Sequence, residues 1–251
     1  MMKLRETLRL SSKFVTLGIL VGSLWFFSRV GFSQAAPLQV VAAQQTSSPL
    51  LVQVTYVDSS NPLQPRYQYL VTNVGDKSVR AYTIKESTSL DAGAPVVRTT
   101  LSNLPAVTQL LKPYGVRREE GGLGHTYQVS PLKIELSVDF VELADGTRWG
   151  DDTAKSGERL DGMRAGGKAA IKLYREVLAG QGDKGLDRAL SSDDSVPREA
   201  QPKSDAWAKG FEMGVDFVKG RLERAKEKSG RDGVRRELDK PFDSTEGRQD
   251  P

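Results

Sequence analysis

The sequence predicts a mainly β fold: an antiparallel β-sandwich followed by a small α-helical C-terminal region. Three observations carry that prediction. About six or seven short segments rich in β-branched and aromatic residues lie between residues 50 and 150, with turn clusters roughly every 8 to 12 residues. Residues 133–141 alternate explicitly, with Ile134, Leu136, Val138 and Phe140 apolar and Lys133, Glu135, Ser137 and Asp139 polar. After Asp151-Asp152 the composition shifts to Ala, Lys, Arg, Glu and Gly, and apolar residues recur at spacings of three and four. A closed barrel is the alternative arrangement of the strands.

The chain opens on a leader, residues 1–35. Met1 to Lys13 is short and positive, Phe14 to Phe27 is apolar and uncharged, and Ser33-Gln34-Ala35 places small residues where a signal peptidase reads. A 14-residue run makes a helix of about 21 Å, against a hydrocarbon core of about 30 Å, which favours a cleaved signal peptide. Extended to Phe32 the run has 19 residues and holds Arg29 near its end, where the side chain could snorkel. An uncleaved helix over residues 14–32, anchoring the protein to the inner membrane, is therefore the alternative. Either way the flanking cations keep the N-terminus in the cytoplasm and the rest is exported, periplasmic or secreted.

Residues 36–49 are small and polar and read as a linker. The sandwich is expected over residues 50–150. Strands are predicted at 51–57, 66–73, 79–85 and 96–101, with a weaker one at 107–111. Asp58 to Pro62 and Val74 to Ser78 supply turns, the second making a hairpin. Arg117 to Gly124 is polar and Gly-rich and reads as an exposed loop. Beyond Phe140 the alternation slips, which predicts a bulge or bend before the Asp145-Gly146 turn, and Trp149 anchors a last strand.

In the helical region, residues 151–228, the segment 164–179 places Ala170, Ile171, Tyr174, Val177 and Leu178 on one side, and Gly180 and Gly182 stop it. Ser204-Asp205 caps a second helix whose stripe is Trp207, Phe211, Val215, Val218, Leu222 and Ala225. Gly166, Gly167, Gly210, Gly214 and Gly220 each cost about 1 kcal/mol relative to Ala, so these helices are marginal alone. Residues 229–251 are charged, nearly devoid of apolar side chains, and expected to be disordered.

Charge and composition narrow the function. The leader carries Lys3, Arg5, Arg9, Lys13 and Arg29 against Glu6, which accounts for the whole formal +4. The neutral remainder lacks the positive field that draws nucleic acid, and none is expected as a partner. With no Cys and one His, thiolate, iron–sulfur and His-rich metal chemistry are excluded, and no cofactor is expected. His125 has no identifiable nucleophile or orienting acid beside it and reads as a surface residue. Gly121-Gly122-Leu123-Gly124 lacks the Lys-Ser/Thr of a phosphate cradle. Asp139, Glu142, Asp145, Asp151 and Asp152 form the densest carboxylate set, but their spacing fits no calcium loop, and they read as solvated edge and turn acids. Gly210-x-x-x-Gly214 reads as helix packing in a soluble unit.

Val71-Thr72-Asn73-Val74-Gly75-Asp76-Lys77-Ser78-Val79 resembles the strand-turn-strand of bacterial exported immunoglobulin-like and fibronectin-like modules, N-x-G/S-x-x-x-V. Val138 to Gly150 is similar to the closing hairpin of uncharacterised exported bacterial proteins of that sort. The resemblance implies an immunoglobulin-like sandwich and no catalytic residues, although the Cys pair of true immunoglobulin domains is missing. The expectation is a non-catalytic binding or structural module of the cell envelope, meeting an unknown protein or envelope component through a sheet edge or the Arg117–Gly124 loop. Catalytic, cofactor-binding and metal-ligating residues are expected to be none, and membrane contact only through the leader if uncleaved. The alternative is a hydrolase with an Asp and Glu pair in a cleft.

Overall fold

The structure, a computed structural model, describes residues 37–90, 93–103, 110–122, 126–192, 196–197, 203–240 and 242. The leader, the predicted strand at 107–111 apart from Leu110 and Leu111, and His125 lie outside these residues. The described elements belong to one compact unit, Leu38–Pro251. In chain order they are β1 (Gln39–Ala42), β2 (Leu50–Asp58), β3 (Arg66–Asn73), β4 (Val79–Leu90), β5 (Val96–Asn103), β6 (Val116–Gly121), β7 (Pro131–Leu143), β8 (Arg148–Trp149), α1 (Ser156–Ser191) and α2 (Asp205–Asp239).

The strands form two sheets. One runs β1-β7-β4-β5 with β8 paired to β7, and the other runs β2-β3-β6. Their inner faces share one apolar cluster that includes Val52, Tyr67, Val71, Tyr82, Ile84, Ile134, Leu136 and Val138. The larger sheet is mixed, because β1 lies parallel to β7 with Gln39 opposite Lys133. The segment 36–49, read as a linker, thus carries a strand that covers an edge of the sheet. Of the described residues 38% are helical and 34% in strands, so the architecture is sheet plus helix, not mainly β. Two long helices outweigh eight strands.

The alternation of β7 reverses in the middle. Val138 lies opposite Ile84 and Phe140 opposite Thr83, so Asp139 is an extra residue, a β-bulge. Before it Ile134, Leu136 and Val138 face the inter-sheet core; after it Val141 does. Phe140 turns to the opposite face, against Ala81 and Leu160. The slip predicted beyond Phe140 occurs one residue before it, and Phe140 leaves the face it was expected to share. Trp149 packs on the inter-sheet core, as an anchor of the last strand should.

The segment 117–124 is corrected as well. Val116–Gly121 is strand β6, antiparallel to β3, and not a loop. Its composition hid it, because its inward positions are Arg117 and Glu119, not apolar residues. Gly121 and Gly122 serve close approach: a Cβ on Gly121 would lie 2.1 Å from the Tyr67 ring, and Gly122 has φ +78° against the Pro65 carbonyl.

The helices are longer than predicted and pack chiefly on each other. Gly182 does end the first helical run, at φ 65° and ψ −165°, a conformation essentially reserved for glycine. The chain then resumes helix to Ser191. Gly230, at φ 60° and ψ −150°, turns α2 in the same way. The returning arm buries Val234 and Leu238, so residues 231–239 are helical and not disordered. Two well-spaced apolar side chains suffice for a short arm that has a groove to fill. Of the rest of the expected tail, 241 and 243–251 lie outside the described residues. Ser204 caps α2 as expected, its hydroxyl accepting from Trp207 N at 3.1 Å.

Gly162 and Gly166 of α1 interlock with Gly210 and Gly214 of α2. A Cβ on Gly162 or Gly166 would sit 2.0 Å from the carbonyl oxygen of Trp207 or Phe211, and one on Gly210 or Gly214 would sit 2.0 Å from that of Arg159 or Met163. The backbones therefore touch, and the dispersion gained across the crossing offsets the poor helix propensity of glycine. Gly180 has open space around its missing Cβ. Urea unfolding should separate the two roles: Gly180→Ala raises stability by up to about 1 kcal/mol, whereas Gly210→Ala lowers it by about 1–3 kcal/mol.

Candidate functional site

Two groups of buried and half-buried ionisable residues stand out, and neither was visible as a motif. The first lies between the sheets. β3 contributes Tyr67 and Tyr69, β4 contributes Tyr82, Glu86 and Thr88, β5 contributes Arg98 and Ser102, β6 contributes Arg117 and Glu119, and Tyr127 comes from the connection to β7. Tyr82 and Glu86 share the inward parity of Ile84, so the strand pattern itself drives them into the interior.

A carboxylate brought indoors is costly unless it receives hydrogen bonds. Glu86 accepts from the Tyr67 hydroxyl, from Tyr127 at 3.0 Å and from Thr88 at 3.2 Å, with the Arg98 guanidinium 3.8 Å away. Glu119 accepts from the Tyr82 hydroxyl at 2.6 Å and pairs with Arg117 at 2.8 Å. Arg98 also stacks over the Tyr127 ring, 5.1 Å from its centroid.

Burial first, and the neighbouring Glu86 carboxylate second, push the Tyr67 hydroxyl far above its usual range. Burial likewise raises Tyr69 and Tyr82, with Glu119 adding to both, and it raises Tyr127. These phenols stay neutral at ordinary pH, and Tyr67, Tyr82 and Tyr127 act as donors. A tyrosine acting as base or nucleophile needs the opposite shift. The group can hold two carboxylates inside and lock one sheet to the other.

The second group joins sheet to helix. Glu142, only 1% exposed, accepts from Arg148 Nε at 3.2 Å and Nη2 at 3.1 Å, and from both terminal nitrogens of Arg164. Arg80 Nη1 stands 3.9 Å from the same carboxylate, and Arg148 continues to Asp161. One buried acid thereby ties β4, β8 and α1 to β7. Nearby Asp139 accepts from Thr153 Oγ1 at 2.6 Å and Ala154 N at 3.1 Å. Asp152 accepts from Ser156 N at 2.5 Å and Gly157 N at 3.0 Å, capping the first turn of α1.

The predicted carboxylate set therefore divides. Asp139 and Glu142 are buried and not solvated as read from the sequence; both lie at or just after the bulge, which the slipped alternation had placed beyond Phe140 and not at Asp139. Asp145 is exposed beside Lys77, and that ammonium together with the Thr147 amide holds its carboxyl below the usual range. Asp151 is exposed. Among the described residues no group of three or more His, Asp and Glu is placed to hold a metal ion. No described helix is long and apolar enough to cross a membrane. Glu86, Glu119 and the four tyrosines were missed, although a charged residue at the inward parity of a strand is the signal that could have found Glu86.

No protein family matches this chain, and no curated protein matches it. Among solved structures, a crystal structure of a hypothetical protein from Peptoclostridium difficile 630 aligns with a TM-score of 0.31 at 10% identity, over 44% of this chain and 90% of that one. That likeness is too slight to bear on fold or activity.

Two outcomes follow. Glu142→Ala leaves three guanidinium groups without their shared acceptor and should lower stability to urea by about 3–5 kcal/mol, whereas the exposed Asp145→Ala should leave it nearly unchanged. The tyrosines set an alkaline limit. Their folded pKa lies above the unfolded value of about 10, so their contribution is whole below that pH and is lost as pH rises past it, at about 1.4 kcal/mol per unit and per tyrosine. Unfolding midpoints measured between about pH 9 and 11 should fall less steeply for Tyr67→Phe/Tyr82→Phe than for the parent. Equal slopes would contradict the assignment.

Proposed function

We propose that the chain is exported to the cell envelope and serves there as a non-catalytic binding or structural module built on an immunoglobulin-like sandwich. The leader pattern of residues 1–35 supports export to a periplasmic or secreted location. The turn carrying the resemblance supports the module. Asn73 is fully buried there, its amide nitrogen donating to the carbonyls of Lys77 and Leu111, both at 2.9 Å, while its side-chain oxygen accepts from Gly75 N at 3.0 Å.

The observation that carries a binding role is β6. Among the described residues it pairs with β3 alone, and Val116, Arg118 and Glu120 along it are exposed. An edge with free backbone groups accepts an added strand from a protein partner or another envelope component. The competing reading is a hydrolase using two carboxylates. The buried and half-buried carboxylates open to it, Glu86, Glu119, Asp139 and Glu142, already hold tyrosines, arginines or Thr153. A second reading keeps residues 14–32 as an uncleaved anchor: extended to Phe32 the run has 19 residues, and Arg29 near its end could snorkel to the interface.

A photo-cross-linking residue at Arg118, in cells, should give a discrete adduct that the same residue at the exposed Glu176 of α1 does not. Identical patterns at both positions would sink the binding role.

A further inference from the structure

The exposed apolar side chains of the β unit are unevenly placed. β1 runs parallel to β7, so the chain arriving from residues 1–36 reaches the sheet where β7 begins, with Gln39 opposite Lys133. β4 ends there, Leu90 opposite Pro131, and β5 starts there, Val96 opposite Thr88. The turn between β2 and β3 lies at the same end, its Leu63 carbonyl accepting from Tyr127 N at 2.8 Å. This end exposes Val97 (53%), Val129 (52%), Leu132 (40%), Leu63 (38%) and Val96 (36%). Among its described charges, Asp58 lies opposite Arg66, Lys133 pairs with Glu135 and Arg98 stands beside Glu86, with Glu120 bonded to Gln68.

From Phe32, the last residue of the apolar run, to Gln39 the chain has seven steps, at most about 25 Å fully extended. With residues 14–32 held in a bilayer, covalent reach alone keeps this end within that distance of the hydrocarbon. The 13-residue β7 sets the opposite end, with Val74 and Tyr114, roughly 40 Å farther along the strands.

We infer that Leu63, Val96, Val97, Val129 and Leu132 rest on the lipid surface from which the chain emerges. The contact is apolar and close to neutral, so it sits at the interface of a bilayer without requiring anionic headgroups, and salt does not screen it. This rests on the anchored reading given above, and it adds a second membrane contact to the one expected from residues 14–32.

The sequence has no Cys, so single substitutions label uniquely. Full-length protein carrying Leu132→Cys, Val97→Cys or Val74→Cys is labelled with an environment-sensitive fluorophore and reconstituted in phosphatidylcholine vesicles containing a doxyl-labelled lipid. Quenching several-fold stronger at 132 and 97 than at 74, and unchanged between low and high salt, is expected. Leu132→Asp/Val97→Asp should bring a label at Leu63 down to the Val74 level, with circular dichroism reporting that the variant is folded. Equal quenching at the two ends, or full quenching in the folded double variant, overturns the inference while the anchor stands. A mature chain beginning at Ala36, read by mass spectrometry of protein from its envelope, overturns the anchor and this inference with it.

Discussion

The extra residue at Asp139 is the constraint on which the rest of the molecule depends. A strand offers side chains to two faces in strict alternation, so without a change of phase β7 would keep Phe140 on the inter-sheet face with Val138 and turn Val141 outward. The bulge changes it. Val138 and Val141 stay on the inter-sheet face, while Phe140 and Glu142 are handed to the outer face, where α1 lies. The bulge residue is itself put to use: its carboxylate takes the Thr153 hydroxyl and the Ala154 amide, fixing the loop that feeds the helix. Sheet and helix are joined through one strand.

Both buried ionic groups follow from strand geometry. Glu86 and Glu142 each occupy a position that a simpler protein would fill with an apolar residue. Each is tolerated because the surrounding strands supply hydroxyls or guanidinium groups in sufficient number. The two solutions differ physically. Around Glu86 the donors are mostly neutral phenols, which bury large rings as well as donate. Around Glu142 they are permanent cations, which bind strands and helix by charge but require the acid to remain ionised. Interiors built in this way specify one arrangement of the sheets, since any slip in register would strand a charge without its partner.

The helical unit follows another logic. Gly162, Gly166, Gly210 and Gly214 weaken the helices as isolated elements, yet they lie where the two backbones cross and allow contact that a side chain would block. Gly182 and Gly230 serve instead as hinges of the chain path, turning each helix into a short returning arm. One residue type thus has two unrelated uses, distinguished only by surroundings.

Sequence alone determined the strand positions of β2, β3, β5 and β7 and the first part of β4, which runs on past residue 85 to Leu90, the apolar stripes of both helices, the Ser204 cap and the break at Gly182. Each depends on periodicity or on a local backbone preference that is written in neighbouring residues. The register of the sheets, the strand nature of Val116–Gly121, the pairing of β1 and the helical arm after Gly230 were decided by tertiary structure. β6 shows why: its inward residues are charged and become strand-like only when Tyr82 of one sheet and Arg117 of its own satisfy Glu119. The partners of Glu142 come from β4, β8 and α1, up to 62 residues away in the chain. A carboxylate's surroundings at that separation are a property of packing, which no spacing rule in one sequence encodes.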